Sequence, residues 1–405
     1  MRRLLVRSGI IAGTVICLSM VTTLMVSAKE ITIDAKPVVS TEITTESITT
    51  EQTTEKASSD KIVAEPVSTT EVPGTTEEQT ETDDETNGKW NKKKTSYYVD
   101  GEKVKGWYDI DDKLYYFSNK GKLYTKTGLK KIGKKTYYFN DDHYAETGVV
   151  KVDGKVYYFR EDNGARLEKT GVASADDNYY CVKDDYTLKK GWYRDKDGNR
   201  YYFNKKTYEA YSDWNYVGKY KYYFEEDGKL LQDVRDKLTK SQKKNYSIRV
   251  NRSGCCVTVY AKDGIKGYKI PVVSFVCSSG KDTPTGSFSI KDKLRWHELM
   301  GPCWGQWSMH LTSDILFHSV YYDKERDNKS LNVGAYNRLG TMASHGCIRM
   351  TAGDCKWIYD NCKVGTKVVI YNSKKSPGPF DKPKAEKLSA SHTWDPTDPA
   401  FKDKK

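Results

Sequence analysis

Between residues 96 and 235 the apolar positions are set by recurring aromatic residues. Tyrosine pairs begin at Tyr97, Tyr115, Tyr137, Tyr157, Tyr179, Tyr201 and Tyr222, at intervals of 18, 22, 20, 22, 22 and 21 residues. Most pairs run into phenylalanine (Phe117, Phe139, Phe159, Phe203, Phe224), and Gly or Asp-Gly turns separate them. A second fixed position is occupied by Gly106-Trp107, Gly128-Leu129, Gly148-Val149, Gly171-Val172 and Gly191-Trp192. Strand-forming aromatics between turn residues, at a period near 20, predict a solenoid of β-hairpins across residues 89–235. The array holds 23 of the chain's 31 tyrosines, so most of the aromatic content belongs to it.

Beyond a short polar connection at residues 237–244, read as helical, the pattern changes. Ile248-Arg249-Val250 alternates, and Cys256-Val257-Thr258-Val259-Tyr260 and residues 270–277 are apolar or β-branched runs. Thr283-Pro284-Thr285-Gly286 predicts a turn, Ser287-Phe288-Ser289-Ile290 a further strand, and Ile315-Leu316-Phe317 a short buried strand ending at His318. One helix is predicted, with Thr351 as N-cap, Asp354 three residues on, and a body running through Trp357 to Asn361. A last strand follows Gly365. The expected fold is therefore mainly β: a hairpin-repeat solenoid, then a β-rich domain over residues 246–372 with a short helix. The Lys/Pro-rich tail, 373–405, is expected to be irregular, although Trp394-Asp395-Pro396-Thr397-Asp398-Pro399 stands apart from it in composition.

Charge and the N-terminus set the compartment. Residues 29–88 carry 15 acidic and 4 basic residues and no hydrophobic periodicity, which predicts a Thr/Glu-rich disordered spacer. The total of +12 then leaves +20 on the chain from Lys89 onward, a body suited to an anionic polymer. Residues 1–28 combine three arginines, an uncharged apolar run and the small-residue site Val26-Ser27-Ala28. They read as a signal peptide or an uncleaved membrane anchor. Either exports the rest of the chain, which sets nucleic acid aside and points to an extracellular location. The nine cysteines are neither evenly spaced nor in a short chain, so a dense disulfide framework is not predicted, while pairing of some stays open.

The densest chemistry lies in Ser344-His345-Gly346-Cys347-Ile348-Arg349. A thiol nucleophile needs thiolate character, which a neighbouring imidazole can supply. His345 is two residues away and poorly aimed on an extended chain, so His318, arriving on another strand, is the better candidate base. Gly346 lets its own amide and that of Cys347 turn toward a developing oxyanion. On residue types alone, a buried structural thiol is the commoner case, by roughly three to one. A zinc peptidase would need spaced ligands, and His297, His310, His318 and His345 show neither His-Glu-x-x-His nor His-x-His.

Two resemblances sharpen this reading. The Gly-Trp, turn, Tyr-Tyr-Phe, Asp-Gly pattern resembles cell-wall-binding repeats of the choline-binding type, in which aromatic cages hold a cation. Trp107 and Trp192 occupy the Gly-Trp position here, while Leu or Val replaces Trp elsewhere. The ligand implied is an anionic or amine-bearing wall polymer. Ser-His-Gly-Cys-Ile-Arg, the upstream Phe317-His318-Ser319, and Lys281-Asp282-Thr283-Pro284-Thr285-Gly286 together resemble the L,D-transpeptidases of the YkuD fold. That resemblance implies Cys347 as acyl-accepting nucleophile, His318 as base, His345 as its support, Ser319 as orienter of the imidazole and Gly346 in the oxyanion site. Ser344 and Arg349 would face substrate, the arginine drawing a carboxylate. The implied reaction releases D-alanine from a tetrapeptide stem and joins the acyl group to another stem as a 3→3 cross-link. No cofactor or metal is called for. Water as acceptor would make the site a carboxypeptidase, and a silent site would leave a wall-binding adhesin. The stretch 323–337, rich in charge and asparagine, is expected to form an enlarged loop over the cleft.

Overall fold

The computed structural model describes residues 88–404, and the leader and most of the acidic spacer lie outside them. Among the described residues no helix is long and apolar enough to cross a membrane.

The aromatic period folds as read. After a small three-stranded sheet, antiparallel hairpins pair Gly106–Ile110 with Lys113–Phe117, Gly128–Ile132 with Lys135–Phe139, and Gly148–Val152 with Lys155–Phe159. Gly171–Ala175 with Asn178–Val182, Gly191–Arg194 with Arg200–Phe203, and Asp213–Val217 with Tyr220–Phe224 continue the series. The phenylalanine of each Tyr-Tyr-Phe is fully buried, at Phe117, Phe139, Phe159, Phe203 and Phe224, and gives each repeat its core. The glycine opening a hairpin has a left-handed backbone, φ between +73° and +112° at Gly106, Gly128, Gly148, Gly171 and Gly191. A side chain is strained there, which explains why glycine recurs where the next residue varies between Trp, Leu and Val.

The C-terminal domain is built on two sheets. The first has the order β3-β2-β1-β9-β4, from β1 (Tyr246–Asn251), β2 (Cys256–Lys262), β3 (Tyr268–Val276), β4 (Gly286–Ser289) and β9 (Lys367–Tyr371). Its pairs are antiparallel except β1 with β9. The second has the order β5-β6-β7-β8, from β5 (Leu294–Glu298), β6 (Trp304–His310), β7 (Leu316–Ser319) and β8 (Ile348–Met350). Here β7 and β8 run parallel. A short helix α1 (Val333–Tyr336) and the expected α2 (Ala352–Asn361) complete it, with Thr351 Oγ1 accepting from Asp354 N at 3.2 Å as the predicted cap. The buried core runs through Ile248, Val257, Val272, Phe317, Ile348 and Ile358.

Two segments are more ordered than their composition suggests. Residues 323–337, expected as an enlarged loop over the cleft, place Asp323 and Asn332 in the cleft lining and also hold a short helix, with Leu331, Ala335 and Tyr336 buried against Val320 and Tyr322 in a second apolar cluster. The tail is irregular but tightly docked, since Phe380, Asp395 and Asp398 are buried. Asp395 accepts from Ala352 N (2.7 Å) at the start of α2 and from Thr397 N (2.8 Å) and Oγ1 (2.6 Å). Thr397 Oγ1 in turn accepts from Gly353 N at 2.8 Å. The eight described cysteines are all free.

The last hairpin is fused to the C-terminal domain. Val234 N donates to Val272 O at 2.9 Å, Trp214 and Tyr223 pack on the main core, and Tyr216 and Lys221 both reach Asp263. The tail ties the same joint, with Arg194 on Asp381 at 2.6 Å.

Burial raises the Asp395 carboxyl above its ordinary range, so its donors do not fully offset desolvation. The donors, left unpaired, then dominate the effect of substitution. Asp395→Ala should lower unfolding free energy by about 2 kcal/mol and Asp395→Asn, which keeps an acceptor, by less; equilibrium urea unfolding measures both, and equal losses would show that the charge matters more than the acceptor.

Candidate active site

Strands β7 and β8 bring the catalytic candidates together. Their register sets Phe317 beside Ile348 and His318 beside Arg349. Because side chains alternate across a strand, Phe317, Ile348 and Met350 enter the core while His318 and Arg349 take the other face. Cys347 immediately precedes β8. His318, Cys347 and Arg349 line one cleft of about 740 Å³, with His345, Tyr321 and Asp314.

The motif is braced by the turn that precedes β4. The Thr283 hydroxyl donates to Gly346 O at 2.6 Å and accepts from Gly280 N at 2.8 Å. Asp282 N donates to His345 O at 3.1 Å, and Ser344 N to Ser279 O at 3.1 Å. Main chains meet so closely that a methyl group at Gly280 would stand 2.2 Å from His345 O and 2.3 Å from Ser344 O. Thr283 pins the Gly346 carbonyl on one side. The trans peptide therefore turns the Cys347 N–H to the opposite side. Among the described residues no acceptor is bonded to the Gly346 or Cys347 amide, which leaves both as free donors.

His318 is buried, and its Nδ1–H donates to the Ser319 carbonyl at 2.6 Å, which leaves Nε2 as the basic nitrogen. Desolvation, with the neighbouring Arg349 charge, lowers its pKa to about 3, so the imidazole is neutral at physiological pH. The sequence reading named Ser319 as orienter; the orienting group is its carbonyl. Its hydroxyl accepts from Gln306 N (2.9 Å) on β6 and donates to Val320 O (2.8 Å). Gly305 backs the ring, and a methyl group there would lie 3.0 Å from His318 Cβ and Nδ1.

The Cys347 thiol donates to Asp314 O at 3.5 Å. Burial pushes its pKa up, against the opposing pull of the Leu316 N–H and Arg349. Thiol and imidazole are thus both uncharged at neutral pH. Arg349 donates to Ala343 O at 3.2 Å and lies 5.1 Å from the Tyr321 ring, but its buried Nε has no partner and no carboxylate pairs with it among the described residues. Burial lowers its pKa, yet a guanidinium stays charged at neutral pH.

The remaining predicted residues fall elsewhere. His345 is exposed at the cleft rim, and its ring forms no hydrogen bond among the described residues. Ser344 Oγ donates to Cys347 O at 2.6 Å, closing the turn of the motif. Trp107 and Trp192 lie in the repeats, against Tyr137 (4.3 Å) and Tyr222 (5.4 Å). Sequence reasoning missed the lip formed by residues 297–303, with Met300 exposed and Cys303 facing the cleft. It also missed Asp398, which accepts from Gln306 Nε2 (2.8 Å) and Asn328 Nδ2 (3.0 Å) and so reaches β6 behind the base. Among the described residues no three His, Cys, Asp or Glu side chains converge as a metal set.

Residues 245–370 match the family model described as the L,D-transpeptidase catalytic domain. Residues 126–170 match the choline-binding repeat, and residues 105–123 a provisionally described cell wall binding repeat. The chain is 38% identical over 119 residues to YciB of Bacillus subtilis (strain 168), provisionally named an L,D-transpeptidase; the match covers 27% of this chain and 59% of that relative. Among solved structures it resembles choline binding protein F from Streptococcus pneumoniae (28% identity, 36% of this chain and 51% of that one, TM-score 0.26). It also resembles an L,D-transpeptidase from Mycobacterium tuberculosis H37Rv (20% identity, 31% and 57%, TM-score 0.25). The C-terminal domain thus carries a region that matches the L,D-transpeptidase catalytic domain, and two stretches of the hairpin array match choline-binding and cell wall binding repeats.

Proposed function

We propose that this protein remodels peptidoglycan by cysteine acyl transfer while its repeats hold it to the wall. The observation that carries the reading is the convergence, in one cleft, of Cys347, the neutral buried His318 and the carboxylate-free Arg349.

In this mechanism Cys347 attacks the carbonyl of the third residue of a tetrapeptide stem as its proton passes from Sγ to His318 Nε2. The thiol must first turn from Asp314 O. The Gly346 and Cys347 amides receive the negative charge that develops on the carbonyl oxygen. Collapse breaks the peptide bond, His318 returns its proton to the leaving amine, and D-alanine departs, leaving a thioester. The side-chain amine of a second stem then attacks the thioester, His318 takes its proton, and the Cys347 thiolate leaves and is reprotonated. The product is a 3→3 cross-link. Arg349 supplies an unneutralised cation for a stem carboxylate. Each of these steps uses protein side chains and backbone alone.

Three outcomes test this account. Incubated with disaccharide-tetrapeptide, the full chain should yield a cross-linked dimer by mass spectrometry and Cys347→Ala none; tripeptide and free D-alanine without dimer would make water the acceptor. Gly305→Ala should lower kcat by about tenfold with little change in melting temperature, because it crowds the His318 ring by a few tenths of an ångström. A raised thiol pKa means that thiolate grows only as pH climbs past the ordinary cysteine value of 9.0. Iodoacetamide alkylation of Cys347 in the free protein should therefore keep rising into that alkaline range. A plateau below neutral pH would instead reveal a resting thiolate–imidazolium pair.

A further inference from the structure

The aromatic cages of the repeats are filled largely by the chain's own cations. The Arg166 guanidinium lies 4.7 Å from the Tyr186 ring and 5.4 Å from Tyr157, with Glu168 holding it at 2.8 Å. Arg200 stands 4.5 Å over Trp192, donates to Pro379 O at 2.9 Å and lies 3.7 Å from Asp381. Lys221 sits 5.7 Å from Trp214 and 3.3 Å from Asp263. Trp107 has no such cation, but Tyr116, Tyr137 and a nearly parallel Phe139 pack against it. A ligand cation entering at Trp192 must therefore displace a guanidinium that already has the ring, a carbonyl and a carboxylate.

Charge that remains open is concentrated elsewhere. Residues 113–140 contain eight lysines and no aspartate or glutamate, whereas residues 141–235 carry 17 basic and 19 acidic residues. All eight lysines are exposed, and none makes an ion pair among the described residues. Lys130, Lys131, Lys134 and Lys135 crowd one hairpin, around the turn between Gly128–Ile132 and Lys135–Phe139. Lys120, Lys122 and Lys126 line the segment leading into it. None of the eight is arginine. The lysine ammonium is a compact charge on a flexible stem that meets phosphate oxygens singly, so a row of lysines can follow a chain of spaced phosphate charges without fixed paired geometry.

We propose that the repeats grip the wall through a phosphodiester polyanion laid along this lysine ribbon, and not through an amine-bearing polymer in the cages. The proposal rests on the reading of the repeats as a wall anchor and names the polymer's chemistry. Counter-ions released as phosphates pair with lysines make such binding steeply salt-dependent.

The test uses the full chain and purified bacterial cell walls rich in phosphodiester polymer, before and after hydrofluoric acid treatment, which cleaves phosphodiesters and leaves peptidoglycan. Binding should fall at least about tenfold on stripped walls, and as far on intact walls when Lys130, Lys131, Lys134 and Lys135 are all changed to Gln. The fourfold Lys→Arg variant should retain binding, which separates charge from folding, and millimolar choline should elute nothing. Equal binding to stripped walls, or elution by choline, would overturn the proposal while leaving the wall anchor intact. Failure to bind either wall preparation would sink both.

Discussion

The site depends on the parallel pairing of β7 with β8, only three residues long on each strand. That pairing places His318 beside Arg349 and Cys347 at the mouth of the same cleft. A short parallel pair has little stability of its own, so its surroundings must hold it. Phe317, Ile348 and Met350 anchor one face in the core. Thr283 and the close contact at Gly280 fix the approach to β8, and Ser319 ties β7 to β6. A shift of one residue would exchange the core face for the cleft face and bury the wrong side chains.

The same packing sets the electrostatics. Burying His318 beside a cation keeps it neutral, and burying Cys347 keeps it a thiol, so both are uncharged in the free protein. Arg349 is a partly buried cation in a cleft that Asp282, Glu298, Asp314 and Asp323 also line, and its Nε has no partner among the described residues. Substrate recognition and base strength are thereby linked, because the cation that would attract a carboxylate also helps to hold the imidazole neutral.

Much of this was legible in the chain, for local reasons. Tyr-Tyr-Phe and Gly-x recur because most hairpins bury one phenylalanine and open on one left-handed glycine, and both requirements are written in the residues themselves. The Thr351 cap of α2 is likewise a contact across three residues. What escaped is long-range or lacks a period. Strands β5 and β6 read Leu-Arg-Trp-His-Glu and Trp-Gly-Gln-Trp-Ser-Met-His, with no β-branched run, and pairing alone makes them strands. Asp395 and Asp398 lie in a polar, proline-flanked tail and are buried by contacts distant in sequence, with α2, Gln306 and Asn328. The role of Arg200 could not be read from Gly-Trp spacing, since Trp192 gains its cation from the neighbouring strand and the tail.

The central claim is that Cys347 carries the acyl group, and the most direct measurement is to catch it doing so. The full chain would be mixed with a tetrapeptide stem, quenched in acid within the first turnover and analysed by peptide mass mapping. The account predicts a tripeptide acyl group on the peptide containing Cys347, removed by neutral hydroxylamine as a thioester is, and lost in His318→Ala. Product formation with no adduct on that peptide, or an adduct on another residue, would contradict it.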